Sequence, residues 1–162
     1  MARFALIAVG LIAFSVPVRA ADEAKGEKVT YTVFDAYFEK NNSGLKGNET
    51  YTALTSKDGF EKVFAARPPL MGGKKPVLLA ADAFDKQFVA VVVKRGPAIT
   101  TYQVEAVKLD KDGTLYVQYK AESGPAGTAT FASPLIVSIP KEGAKKVAFI
   151  ENGKAVSTVD VK

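Results

Sequence analysis

No histidine, cysteine or tryptophan occurs anywhere in the 162 residues, and methionine occurs only twice. Without His there is no imidazole general base, no Ser-His-Asp triad and no His-ligated zinc. Without Cys there is no thiolate nucleophile, disulfide, haem attachment or iron–sulfur site. Any chemistry would have to rest on carboxylates, Lys, Tyr or Ser, and the sequence points to no cofactor and no metal. Charge of one sign is also scarce. The 22 Lys+Arg stand against 17 Asp+Glu and are spread evenly, which is no footprint for a nucleic-acid partner. What is present, 48% hydrophobic and 24% charged residues, is the composition of a globular chain.

One apolar run has the form of a targeting segment. Arg3 supplies a positive start, Phe4 to Val16 is almost unbroken apolar sequence, and Pro17 ends it before Val18-Arg19-Ala20. This is the pattern of a cleavable export signal over residues 1–20. It falls short of the roughly 20 apolar residues of a comfortable membrane span. Cleavage after Ala20 removes Arg3 and Arg19, leaving 20 basic against 17 acidic residues, and no transmembrane span. The expected location is periplasmic or extracellular. Residues 21–27 read as a short polar leader, and 28–162 as one β-rich domain.

Periodicity points to strands nearly throughout. Val29, Tyr31 and Val33 alternate with threonines, and Glu49–Leu54 reads as a returning strand. A helix follows, capped by Thr55 or Ser56, with Asp58 at capping-box spacing from Thr55. Its Phe60, Val63 and Phe64 fall on one face, and Arg67-Pro68-Pro69 is expected to stop it. Met71–Pro76 reads as a connector. Phe88–Val93 is continuously apolar and β-branched, as in a central strand covered on both faces. The alternation Tyr102, Val104, Ala106 slips to Val107 and Leu109, which predicts a β-bulge at Ala106-Val107. Asp110–Gly113 reads as a hairpin turn, because the remaining ligands of a calcium loop are absent. Leu115, Val117 and Tyr119 continue beyond it. Ala129, Phe131, Leu135, Val137 and Ile139 mark another strand, in which Pro134 calls for an edge or a bulge. Asn152-Gly153 turns the last hairpin. The fold class is α+β, predominantly antiparallel β as a sandwich or roll, with one short helix packed on the sheet.

If 88–94, 102–109, 114–121 and 128–139 are consecutive antiparallel strands, loops 95–101 and 122–127 emerge at one end. Both contain Pro and Gly, which lowers the ordering cost of binding. Pro97, Ile99, Thr100, Thr101, Tyr102 and Pro125 are therefore the candidate partner-binding residues, with Ile99 as an exposed anchor.

These same residues carry a family likeness. Asp82-Ala83-Phe84-Asp85 before an apolar strand, Pro97 with Tyr102, Glu122 with Gly124-Pro125, and Pro134-Leu135-Ile136-Val137-Ser138-Ile139-Pro140 follow one another in order. Residues of about 50–150 thereby resemble the C-terminal domain of the protease-complex subunit PrcB family. Ala98-Ile99-Thr100-Thr101 replaces the family's Thr-Gly-Gly and is one residue longer. The resemblance implies a non-catalytic accessory or binding domain of the cell envelope, associated with a secreted protease complex.

The leading expectation is an exported, non-enzymatic domain that binds another envelope or secreted protein. A sharper alternative is a protease inhibitor acting through loop 95–102, whose Pro97–Tyr102 stretch is similar to the blocking loop of chagasin-like inhibitors, with Gly96 where they carry Asn. A second alternative is a carboxylate-based glycan-active enzyme, for which Asp82 and Asp85 would supply acid and base. The triplets Asn41-Asn42-Ser43 and Asn48-Glu49-Thr50 match glycosylation sequons and serve here as loop markers.

Overall fold

The computed structural model describes residues 26–68 and 77–162. The export signal and the Met71–Pro76 connector expected from the sequence lie outside the described residues. The described residues begin with β1 (Glu27–Lys28), β2 (Thr32–Val33), β3 (Tyr37–Glu39) and β4 (Glu49–Leu54). Then come α1 (Lys57–Val63), β5 (Phe64–Ala66) and α2 (Ala83–Lys86). Four ten-residue strands follow, β6 (Gln87–Gly96), β7 (Thr100–Leu109), β8 (Thr114–Ser123) and β9 (Phe131–Pro140). A hairpin of β10 (Lys146–Glu151) and β11 (Lys154–Asp160) ends the chain.

The strands make a sandwich of mostly antiparallel sheets. One sheet runs β1-β7-β8-β10-β11, the facing one β2-β9-β6-β4, and β3 and β5 form a separate two-stranded sheet. Among the described residues only β8 and β10 pair in parallel, because the chain leaves the first sheet for β9 and returns beside β8. The continuous apolar run of β6 has the expected cause. Phe88, Ala90 and Val92 point into the core between the sheets, with Leu115, Val117, Tyr119, Val147 and Phe149 opposite. Val89, Val91 and Val93 point the other way, under a layer made by Phe60 and Val63 of α1, Tyr37, Phe64 and Phe84. Phe60 is the hub of that layer, with its ring 5.0 Å from Tyr37, 5.3 Å from Phe64 and 5.8 Å from Phe84. Fully burying each such side chain is worth about 1.5–3 kcal/mol relative to exposing it.

Several local expectations are corrected. β6 and β7 do not pair. They lie in different sheets, so the four long strands form a sandwich crossing and not a meander. Val29–Val33 is not one strand. The chain bridges first to β7 and then to β9, and Val33 faces solvent. The sheet starts at Glu27, inside the expected leader. Ser56, not Thr55, caps α1 by accepting from the Gly59 N–H at 3.2 Å. The helix ends at Val63 because Phe64 turns extended to pair with β3, before any proline is reached. A second helix, α2, occupies Ala83–Lys86. The bulge in β7 is at Glu105, one residue before the expected site, where Val104 opposes Tyr119 and Ala106 opposes Gln118. The last long strand begins at Phe131, leaving Ala129 in the preceding loop.

Pro134 meets its edge condition in an indirect way. β9 is flanked by β6 along its length, but β2 reaches only Val137 and Ser138. The Ile136 carbonyl turns outward to accept from Phe34 N–H at 2.9 Å. Alternation then turns Pro134 outward too, where a missing N–H breaks no bond to β6.

Candidate functional site

The candidate site is the end of the sandwich where β6, β8 and β10 finish and β7, β9 and β11 begin. The register brings Gly96 opposite Phe131 and Thr100 opposite Ser123. The two loops expected to share an end do so, and they bond to each other. Gly124 N–H donates to the Ile99 carbonyl at 2.9 Å and Gly127 N–H to the Pro97 carbonyl at 2.7 Å.

The candidate residues divide. Ile99 is 55% exposed, and Pro97, Thr101 and Pro125 are exposed beside it. Thr100 is only 8% exposed, and its N–H donates to Ser133 Oγ at 2.9 Å. Tyr102 is half-buried, its hydroxyl donating to the Ser133 carbonyl at 2.9 Å. Thr100 and Tyr102 therefore hold the loops in place and present little to a partner. Sequence reading missed Phe131 as a site residue, having counted it only in the apolar alternation of a strand; it is 37% exposed at the start of β9. The signal that finds it is charge. Residues 96–101 and 123–132 contain no charged side chain in a chain that is 24% charged, and every residue from 122 to 132 is exposed.

Beneath this neutral tip lies a floor of paired charges. Lys94 Nζ sits 2.5 Å from Glu151 and 3.3 Å from Glu49, joining the two sheets. Tyr119 donates to Glu151 and Tyr51 to Glu49, each at 3.0 Å. Burial by itself would lower the Lys94 pKa, but the hydrogen bonds and charges of Glu151 and then Glu49 outweigh it and raise it. Burial first, then the nearby Glu carboxylates, pushes the phenols of Tyr51, Tyr102 and Tyr119 well above the usual tyrosine range. Arg95 forks onto Glu39 at 2.6 and 2.8 Å and also donates to the Gly47 carbonyl and Thr50. Ser43 donates to the same Glu39 at 2.5 Å.

The hairpin Asn152-Gly153, both residues at positive φ as a type I′ turn requires, clamps the base of the tip. Asn152 Oδ1 accepts from Ala121 N–H and its Nδ2 donates to the Ala121 carbonyl, both at 3.2 Å.

Asp82 and Asp85 are at the opposite end of the sandwich, in and before α2. Asp82, but not Asp85, borders a shallow groove of about 330 Å³ lined also by Phe34, Leu78, Leu79 and Lys86. Among the described residues no group of acidic side chains is placed to hold a metal ion, and no helix is long and apolar enough to cross a membrane.

Compared with protein-family models, curated proteins and solved structures, the chain matches none.

Proposed function

We propose that the protein is an exported, non-enzymatic binding domain that docks its neutral tip on another envelope or secreted protein. The observation that carries this reading is the pair of mutually bonded loops whose residues 96–101 and 123–132 are free of charge and mostly exposed. Charge depletion with apolar anchors marks the buried centre of protein interfaces, whereas ordinary exposed loops carry charge. The floor supports the same reading, because its carboxylates are engaged by Lys94, Arg95 and tyrosines. The signal-like residues 1–20 support export, and the likeness to the PrcB family supports a protease complex as the class of partner.

The test is capture from native envelope extract with the intact chain, with Ile99→Asp and with Phe131→Asp. The expected outcome is a partner retained by the intact chain and lost by both variants. An identical partner set for all three sinks the proposal. Incubation with papain-like and subtilisin-like proteases tells whether the tip itself slows a protease or docks elsewhere on the complex.

A further inference from the structure

Of the four asparagines in the chain, only Asn152 is followed by glycine. That dipeptide has a chemistry of its own. A backbone nitrogen can attack the amide carbon of the preceding asparagine, most easily when it belongs to glycine, which has no side chain to shield it. Here a Cβ built on Gly153 would meet nothing within 4 Å, and Asn152, Gly153 and Lys154 are all exposed, so water and base reach the turn. The fold nevertheless opposes ring closure. The ring must take in the Asn152 amide carbon and the Gly153 nitrogen. Both polar atoms of that amide are instead held on β8, Oδ1 by the Ala121 N–H and Nδ2 by the Ala121 carbonyl. Each bond is exposed and long at 3.2 Å, which makes it easier to open than the ladder beneath.

We infer that Asn152 is a site of spontaneous deamidation, held in check by its clamp on Ala121 and irreversible in its effect. When the clamp opens, the Gly153 nitrogen loses its proton to base and bonds to the Asn152 amide carbon. The bond to Nδ2 breaks and ammonia leaves. Water then opens the cyclic imide at either carbonyl, giving aspartate or isoaspartate. Neither product restores the clamp. Aspartate puts a second acceptor where Nδ2 donated, against the Ala121 carbonyl and next to Glu151, which already serves Lys94 and Tyr119. Isoaspartate adds a methylene to the main chain of the tight turn between Glu151 and Lys154. That misaligns the Asn152 N–H, which donates to the Tyr119 carbonyl at 2.9 Å. Age thus loosens the hairpin in one direction. None of this depends on what the tip binds.

The test follows the full chain in mildly alkaline buffer, folded and in concentrated urea, by peptide mapping of the mass gained when an amide becomes an acid. Asp58-Gly59 and Asp112-Gly113 can also isomerise, but without a change of mass. The gain is expected at Asn152, and at least about tenfold more slowly in the folded chain, since both hydrogen bonds must break first. Low urea should raise its rate in proportion to hydrogen exchange at the Ala121 amide, before the amide of the fully buried Val91 begins to exchange. The aged chain and Asn152→Asp should both exchange the Ala121 amide about fivefold faster than the fresh chain. Equal rates in the folded and denatured chain, or a rate that follows Val91, overturn the clamp as the check. Gain at Asn41, Asn42 or Asn48 in place of Asn152, or no gain in either state, overturns the site. Unchanged Ala121 exchange after ageing overturns the loosening.

Discussion

Lys94 and Arg95 belong to the floor of the candidate site, and Gly96 and Pro97, the next two residues, belong to its tip. Within four positions the chain passes from two cations held by carboxylates to a surface with no charge at all. The two layers answer different physical demands. A charge in the floor is partly buried and keeps its free energy low only by being paired. A neutral tip loses little when water is stripped from it. Ionic groups used to pin the sheets together are also poorly placed for acid–base chemistry, since moving their protons would release the pins. The end of the sandwich is therefore built as a stiff support under a surface that is inexpensive to cover.

Breaking the floor should give the largest effect on stability. Glu39 has a side chain 7% exposed and accepts both arms of Arg95. Arg95→Met leaves that carboxylate without a counter-charge, with only the Ser43 hydroxyl donating to it, and is expected to cost about 3–5 kcal/mol in denaturant unfolding. The double change Arg95→Met, Glu39→Met should recover most of the loss, because two apolar groups need no partner. If the double variant is as unstable as the single one, the pair contributes more than mutual neutralisation. Lys94→Met should cost less, about 2–3 kcal/mol. Its second partner Glu49 is half exposed and can be rehydrated.

How much of this could be read in the sequence differs between the two layers. Phe88–Val93 announced a strand covered on both faces, because only such a strand tolerates apolar residues at successive positions. Asn152-Gly153 and Asp110–Gly113 announced their turns. At Gly113, with φ of 86°, a Cβ would strike the Gly143 carbonyl at 2.7 Å, so the turn and the next connection are fitted to each other. The tip loops were legible as Pro- and Gly-rich breaks, and their shared end followed from strand parity even though the strands belong to two sheets. The floor was not legible. Lys94 meets Glu151 across 57 residues and Arg95 meets Glu39 across 56. No local spacing records which strands become neighbours in a sandwich. Val29–Val33 misled for a related reason, since its alternation is shared between two sheets that each take only a fragment.

Alkaline pH sharpens the comparison from the floor side. Lys94, Tyr51, Tyr102 and Tyr119 all have pKa values raised by folding. The folded chain keeps protons that the unfolded chain begins to release near pH 10. Stability from these groups is fully present below that pH and is lost as pH climbs through the raised values. A Tm series from neutral to strongly alkaline pH should be free of any step from these groups until about pH 10 and then fall. Tyr119→Phe should cost about 1.5–3 kcal/mol at neutral pH by removing the hydrogen bond to Glu151, and should make the alkaline fall shallower. An unchanged fall would remove Tyr119 from the floor's proton balance.

The clamp between the layers should respond more weakly. Asn152→Gly keeps the positive φ of the turn and deletes only the side chain that spans Ala121. A cost of about 1 kcal/mol is expected, with faster hydrogen exchange at the Ala121 amide. Exchange confined to Ala121 would show that the clamp fixes one strand end. Exchange spreading to Gly124 would show that it also holds the tip in shape.

The smallest effect on stability belongs to the residue expected to matter most for binding. Ile99 is 55% exposed and belongs to neither buried cluster, so Ile99→Asp removes little packing and buries no charge. Its unfolding free energy should stay within about 0.5 kcal/mol of the intact chain. A loss above about 1 kcal/mol would mean that Ile99 folds back onto the loops as part of the support, and the separation of tip from floor would fail at its central residue. Equal stability together with lost capture of the partner would place the binding energy in a side chain that the fold itself does not need.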